Sequence, residues 1–244
     1  MSIDMGEDES DLWAKLENSR QVPLEPFWLK NVYSPNLTID LRKALSEKMG
    51  LLADQGWPVI KYLLQGYGDL PDLIMAAGLC HQIEAREWLL ELLTRSGDNE
   101  NIQLLAVQSL SCWGAEVPAA IITQCLHHPG QAHRLAGLEL LKFRSHLLTD
   151  QQLLDYCSEA LNDFRDSVVI AAIRIIQRRD SKIICKELYY LCRTGSDVVA
   201  DASLRALSCI ATTDSKYYLR KLSQFLEIDS RRELASQKLK EQYR

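Results

Sequence analysis

Apolar residues recur at helical spacing along most of the chain. From Asp40 onward they follow an i, i+3, i+4 pattern, and no stretch alternates as a half-buried strand would. No proline occurs in the 115 residues after Pro129, which favours uninterrupted helices. The longest apolar stretch, from Leu73 to Cys80, is 8 residues, well below the ~20 that cross a bilayer. The pattern therefore predicts an all-α chain without a membrane span.

Small and apolar residues repeat together along this helical region. An alanine is followed four positions later by a small or apolar residue, and the alanines lie 30, 30, 35, 31 and 33 residues apart. The six occurrences are Ala76/Cys80, Ala106/Leu110, Ala136/Leu140, Ala171/Ile175, Ala202/Ala206 and Ala235/Leu239. Positions i and i+4 share a helix face, so each alanine lets a neighbouring helix approach closely.

These repeats predict an α-solenoid (an α-α superhelix) of about six stacked antiparallel helix pairs and a C-terminal capping helix, because a single pair cannot bury its apolar stripe alone. The predicted pairs are 40–54 with 57–66, 71–82 with 85–95, 99–113 with 116–127, 131–145 with 149–162, 166–178 with 181–194 and 197–210 with 214–227, followed by a helix at 229–241.

Capping signals support this division of the chain. The sequence from Thr149 to Gln152 has the form of a capping box. Gly195 followed by Ser196 is typical of a helix end and the next N-cap. Gly97-Asp98 and Pro129-Gly130 interrupt the chain between other helices.

Residues 1–39 differ in composition from the rest. Residues 1–40 hold 8 acidic and 3 basic residues, and residues 1–39 contain three prolines (Pro23, Pro26 and Pro35) and four large aromatics (Trp13, Phe27, Trp28 and Tyr33). A short helix around 11–17 is expected, followed by an extended segment over 21–38, since proline disfavours helix in its neighbour. The predicted domains are an acidic, proline- and aromatic-containing arm at 1–39 and a helical repeat domain at 40–244. The aromatics favour an arm that packs on a body, either its own chain or a partner protein.

Two segments resemble the opening of HEAT repeats, which often begin with Asp, Val and a pair of small residues. They are Asp166–Ala172 and Asp197–Ser203, although the arginine usual after the valine is missing in both. The repeats are shorter than the ~40–47 residues of long HEAT units and are similar to the short HEAT-like repeats named after the phycobilisome lyases. The resemblance covers roughly residues 70–240, and it implies that the second helices line a concave face.

Charge is distributed unevenly along the chain, whose net charge is −5. Residues 1–141 carry 10 Lys+Arg against 19 Asp+Glu, whereas residues 142–244 carry 18 against 14. Such a polarity can steer a partner, and chance with an acidic arm is the alternative explanation. A dedicated nucleic-acid binder would be distinctly basic, so no nucleic-acid partner is expected.

Cysteine usage and the start of the chain indicate the compartment. The 7 cysteines are odd in number, evenly spread and without a C-x-x-C, which favours a reducing environment. The acidic start from Met1 to Glu9 lacks the basic and apolar regions of a signal peptide. A cytoplasmic protein is predicted.

Motifs for catalysis or metal binding are weak. P-loop, H-E-x-x-H, G-x-S-x-G and EF-hand patterns do not occur, and Gly66-Tyr67-Gly68 is interpreted as a turn. The metal candidate is Cys125 with three histidines (His127, His128 and His133). The favoured interpretation is a core cysteine with histidines in the last turn of a helix. Cys80-His81 suggests an activated thiol, but neighbours on a helix point in different directions. No catalytic residue, metal or cofactor is predicted.

Aromatic and basic residues on the second helices are the predicted binding residues, because Tyr, Trp and Arg are enriched at interface hot spots. The candidates for the concave face are Tyr62, Trp88, Tyr156, Tyr189, Tyr190, Tyr217, Tyr218, Arg220 and Lys221. About one member of each Tyr-Tyr pair should be exposed, and the spacing does not decide which.

Three functions are compatible with these features. The preferred one is a non-catalytic protein-interaction module, scaffold or assembly factor that holds a partner protein on the concave face. The alternative, implied by the resemblance, is a phycobilin lyase-like or bilin-handling protein that contacts a bilin-carrying protein, with Cys80/His81 or Cys125/His127 near the pigment. A DNA-binding solenoid is the third, and would need a denser Lys/Arg lining. An enzyme is less expected; if the chain is one, lyase-like activity is the prediction.

Overall fold

The structure, a computed structural model, describes residues 8–19, 24–97 and 99–242. In these residues the regular structure consists of fifteen α-helices and three short 3₁₀ turns, without strands. The helices are α1 (Glu9–Asn18), α2 (Pro26–Val32), α3 (Ile39–Leu51), α4 (Gly56–Tyr67), α5 (Pro71–Leu79), α6 (Ile83–Arg95), α7 (Glu100–Leu110), α8 (Ala119–His127), α9 (Gln131–Arg144), α10 (Asp150–Leu161), α11 (Asp166–Ile176), α12 (Lys182–Thr194), α13 (Asp197–Ile210), α14 (Thr213–Phe225) and α15 (Asp229–Glu241). The predicted all-α class and the packing of helices in adjacent pairs are confirmed.

The chain divides into two compact units, Met1–Val117 and Pro118–Arg244. In the N-terminal unit α1, α3, α5 and α7 pack on one another in succession as a first layer, and α2 packs on α4 in a second layer. In the C-terminal unit α9, α11, α13 and α15 form the first layer, and α8, α10, α12 and α14 form the second. The predicted boundary between an arm at 1–39 and a repeat domain at 40–244 stays a prediction. No helix of the described residues has the length and apolarity that a membrane crossing needs.

The expectation of an extended segment over 21–38 is wrong where α2 forms, at Pro26–Val32. Proline at the first helical position costs nothing, because the N–H that it lacks would have no helical partner there. Leu29 and Val32 then lie buried on one side of the helix. Residues 21–23 of the predicted segment fall outside the described part of the chain.

The described part of the arm packs on its own N-terminal unit. The buried Tyr33 hydroxyl donates a hydrogen bond to Asp72 Oδ2 at 2.6 Å, and Ser46 Oγ donates to the same oxygen at 3.1 Å. Burial, together with the Asp72 carboxylate, raises the pKa of Tyr33. Glu9 accepts hydrogen bonds from the backbone N–H and side chain of Thr38, the N-cap of α3. The arm therefore joins α3 and α5 through polar as well as apolar contacts.

The predicted alanine strip is correct at both ends of the chain and shifted by one residue in the middle. Ala76, Ala106 and Ala235 are buried. The remaining three, Ala136, Ala171 and Ala202, are only half-buried, and the residues that follow them, Gly137, Ala172 and Ser203, are buried instead. Both members of each of these pairs are small, so the sequence did not show which one faces the neighbouring helix.

Two glycines bring the first-layer helices of the N-terminal unit into close contact. A Cβ added at Gly50 on α3 would lie 2.6 Å from Leu79 Cβ and 2.9 Å from the Ala76 carbonyl oxygen on α5. One added at Gly78 on α5 would lie 2.6 Å from the Ser109 carbonyl oxygen on α7. Such distances leave no room for a methyl group, so backbone approaches backbone at both interfaces.

Helix starts follow the predicted signals where the structure describes them. Thr149 and Gln152 form the predicted capping box, and the Ser196 side chain accepts a hydrogen bond from the Val199 N–H. Each of these bonds satisfies a backbone donor that the first helical turn leaves without a partner. Asp98, part of another predicted break, lies outside the described residues.

Arginines tie together the helix ends of the C-terminal unit. Arg134 on α9 donates to the His128 carbonyl oxygen at 2.7 Å and to Asp163 at 2.9 Å. The Arg165 guanidinium donates twice to the same carboxylate at 2.8 Å and once to the Pro129 carbonyl oxygen at 3.0 Å. The hydrogen bonds from Arg165 lower the pKa of Asp163, with Arg134 contributing. Arg231 on α15 donates in the same way to the carbonyl oxygens of Cys192, in the last turn of α12, and of Gly195, and to the Asp197 carboxylate.

Substitution of Gly78 by alanine tests the close packing of α5 and α7. The added methyl group meets the Ser109 backbone, so Gly78→Ala should lower the free energy of unfolding by about 1–2 kcal/mol in spite of alanine's higher helix propensity. Gly66→Ala is the matched control, because a Cβ at Gly66 in α4 meets nothing within 4 Å. That variant should gain roughly 0.5 kcal/mol. Urea unfolding measures both changes, and equal stability of the two variants would contradict the packing.

Candidate binding groove

The nine predicted binding residues lie on helices of both units. Tyr62 is on α4, Trp88 on α6, Tyr156 on α10, Tyr189 and Tyr190 on α12, and Tyr217, Tyr218, Arg220 and Lys221 on α14. Tyr62, Tyr190 and Tyr217 are more than half exposed, and Arg220 is exposed as well. Trp88, Tyr156, Tyr189 and Lys221 are half-buried, whereas Tyr218 is buried. Their assignment to a concave face stays a prediction.

Three of these tyrosines form one ring cluster between α12 and α14. The ring centroids of Tyr189 and Tyr218 are 5.1 Å apart, and those of Tyr217 and Tyr218 are 5.2 Å apart in an edge-to-face arrangement. Burial raises the pKa of Tyr218, with the nearby Asp214 carboxylate adding to the effect. Tyr218 is thus the core member of its pair, and Tyr217 is the exposed one.

Two cations rest on this ring cluster. The Arg193 guanidinium carbon lies 5.7 Å from the Tyr189 ring centroid, and Lys221 Nζ lies 4.7 Å from that of Tyr217. These distances are within the range of cation–π attraction. A side-chain hydrogen bond with Tyr217 raises the pKa of Lys221, so the ammonium stays charged at neutral pH.

An open groove of about 360 Å³ begins at the edge of the cluster. Its lining residues are Tyr189 and Arg193 from α12 and Lys221, Leu222, Phe225 and Leu226 from the end of α14. Leu222 and Leu226 are buried and form its floor, while the Phe225 side chain is 74% exposed. Of the Tyr189–Tyr190 pair, it is Tyr189 that lines the groove.

The sequence predictions missed the apolar part of this groove. Phe225 lies four positions after Lys221 and seven after Tyr218, so the three share one face of α14. That spacing was a usable signal. The residue types typical of binding hot spots are Tyr, Trp and Arg, and that criterion does not include a phenylalanine.

The predicted residues of the N-terminal unit do not form one cluster. Tyr62 lies beside a separate cavity of about 490 Å³ between α2 and α4, with Lys30 Nζ 3.5 Å from its ring centroid. Trp88 packs on Trp57, with the centroids 6.2 Å apart, and under the Arg95 guanidinium. The two aromatics therefore have different surroundings and different neighbours.

The residues considered for a metal site face different neighbours. Cys125 is buried, and burial raises the pKa of its thiol to about 11. His127 Nδ1 lies 2.7 Å from the Thr123 carbonyl oxygen, and its Nε2 lies 3.2 Å from Glu159. His128 and His133 stack with centroids 3.8 Å apart. Among the described residues, no three His, Cys, Asp or Glu side chains are grouped as a metal ion would need.

Cys80 and His81 also point apart. Cys80 is fully buried and its thiol donates to the Ala77 carbonyl oxygen at 3.1 Å, whereas the His81 ring packs edge-on against Trp113. Burial raises the pKa of the Cys80 thiol. This arrangement leaves the thiol protonated at neutral pH and without histidine assistance.

Comparison with known proteins assigns no family. No family model matches the chain, and no curated protein matches it. Among solved structures, human deoxyhypusine hydroxylase in complex with glycerol is similar, with 14% sequence identity and a TM-score of 0.43, over 98% of this chain and 92% of that chain. A similarity at this level carries no argument about activity. The resemblance to the short phycobilisome-lyase-type repeats stays a prediction.

Thiol alkylation tests the arrangement of the cysteines. Cys112 and Cys209 are exposed, and the other five are buried: Cys80, Cys125, Cys157, Cys185 and Cys192. A short iodoacetamide pulse on the native protein, followed by peptide mass spectrometry, should label the exposed pair at least about tenfold faster, because buried thiols remain protonated and shielded. Rapid labelling of Cys80 or Cys125 would contradict the account and would indicate an activated thiol.

Proposed function

We propose that this chain is a non-catalytic protein-binding module whose partner is held in the groove between α12 and α14. One observation carries the proposal: aromatic rings and cations surround an open groove with an apolar floor. Tyr and Arg are the residue types that dominate binding energy at interfaces. Here they occur together, held in place by the packing of Tyr218.

The apolar part of the groove supplies a driving force for association. Phe225 extends from the last turn of α14 with 74% of its surface exposed, above the buried Leu222 and Leu226. Covering a side chain of this kind fully is worth about 1.5–3 kcal/mol. The cations at the rim then favour a partner of suitable charge and increase the rate of encounter.

The chemistry of the lining supports binding rather than catalysis. The six lining residues are one Tyr, one Arg, one Lys, two Leu and one Phe. A nucleophile paired with a base, or two carboxylates set for acid–base work, would need other residue types. The tyrosine and the two cations are suited to recognition of a surface.

The bilin-handling alternative draws less support from the contacts. The thiols proposed to lie near a pigment, Cys80 and Cys125, are both buried, and a pigment could reach them only after local opening. Tyr62 and Trp88 lie apart in the N-terminal unit, with their own neighbours. This alternative stays a prediction.

Affinity purification from the native cell with quantitative mass spectrometry tests the proposal. Phe225→Ala should lower recovery of the principal partner by about tenfold, because loss of a central apolar contact costs over 1 kcal/mol. The side chain is largely exposed, so the fold should be unaffected and the thermal midpoint unchanged.

Phe164→Ala is the matched control, since Phe164 in the turn before α11 is 88% exposed and belongs to the same unit. It should retain the partner at the wild-type level. Equal recovery from both variants and the wild type would exclude the groove as the binding surface, and an equal loss from both would show that the effect is not local.

A further inference from the structure

The two helices that form the groove are basic within an acidic chain. Helices α12 and α14 carry six Lys or Arg residues and two acidic residues, Glu187 and Asp214. Both acids precede the last turns of their helices, where the groove lies. The N-terminal unit, by contrast, carries 9 basic and 18 acidic residues. Positive charge is thus concentrated on the two helices that form the groove, and Arg193 and Lys221 are the basic residues that line it.

The cations of the groove differ from other arginines of the same unit in their partners. Six arginines form ion pairs with carboxylates: Arg134, Arg165, Arg179, Arg205, Arg231 and Arg232. Within the part of the chain that the structure describes, neither Arg193 nor Lys221 has a carboxylate oxygen within 4 Å; each lies against a tyrosine ring instead. A ring attracts a cation without neutralising its charge.

The groove therefore favours a ligand with two properties, negative charge and a bulky apolar group. Arg193 and Lys221 favour an anion at the rim, and Leu222, Phe225 and Leu226 favour a bulky apolar group on the floor. A volume of about 360 Å³ fits a few side chains of an extended segment. Phosphopeptide sites are built from clusters of arginines, whereas this groove offers one arginine and one lysine, which suits carboxylates.

We infer that the groove binds an acidic segment of a partner protein in which a bulky apolar side chain lies next to Asp or Glu. This inference rests on the proposed function. The carboxylates pair with Arg193 and Lys221, and the apolar side chain packs on Phe225 above the leucine floor.

Fluorescence polarisation with synthetic peptides and the full chain tests this inference. The probe is a short fluorescein-labelled peptide in which Glu and Asp alternate with Phe and Leu. Three labelled molecules serve as comparators. The first is a peptide with Lys in place of the acids, the second is a peptide with Ser in place of the apolar residues, and the third is an oligothymidylate of equal charge. The acidic, apolar peptide should bind at least about tenfold more tightly than each comparator, and less tightly as salt is raised, because exposed charges are screened.

Charge-removing variants locate the binding. The double variant Arg193→Gln with Lys221→Gln should weaken peptide binding by about tenfold and reduce its salt dependence. Lys182→Gln is the control, because Lys182 begins α12 and lies about 16 Å along the helix from Arg193. It should bind the peptide with wild-type affinity.

Several outcomes would overturn the inference. Equal binding of the lysine peptide or the oligothymidylate, or wild-type affinity in the double variant, would do so. If the acidic peptide fails to bind while Phe225→Ala still loses the native partner, the partner chemistry is wrong and the proposed function stands. If Phe225→Ala retains the native partner, the proposed function itself fails.

Discussion

The close approach of neighbouring helices through small residues is the constraint on which the rest of each unit depends. In the N-terminal unit Gly50 and Gly78 bring α3, α5 and α7 together with no room for a methyl group. In the C-terminal unit Gly137 contacts Cys125, and Ala172, Ser203 and Ala235 are fully buried on the first layer. Helix spacing depends on the side chains at the contact. With the first layer held by small residues, the larger side chains of the second layer fill the space between α12 and α14, where the tyrosine rings of the groove meet.

Basic residues of the C-terminal unit belong to two groups that differ in their partners. Arg134, Arg165 and Arg231 donate hydrogen bonds to carboxylates and carbonyl oxygens at helix ends, where they satisfy acceptors that the last turns leave open. Arg193 and Lys221 lie on tyrosine rings at the surface. The first group stabilises the junctions between helices, and the second is the pair of cations on which the proposed binding of an acidic segment depends.

Helical periodicity and capping signals were enough to predict the fold class and most helix positions, because both are local properties of the sequence. The exceptions depend on tertiary contacts. Helix α2 was missed because Pro26 suits both a first helical turn and an extended segment, and only the burial of Leu29 decides between them. The sequence also does not determine the exposed member of each tyrosine pair. Adjacent residues on a helix point in different directions, and only the position of the neighbouring helix decides which of them is buried. The spacing along α14 places Phe225 on the same face as Lys221 and Tyr218, but only the packing of α14 beside α12 brings Tyr189 and Arg193 to the same groove.

The claim that the groove is the binding surface can be measured directly by hydroxyl-radical footprinting of the chain with and without its co-purified native partner. The account predicts that oxidation of Phe225 and Tyr217 falls on binding, while that of Phe164 and Phe143, exposed elsewhere in the same unit, is unchanged. Protection of Phe164 or Phe143 with Phe225 still oxidised at the free rate would contradict it.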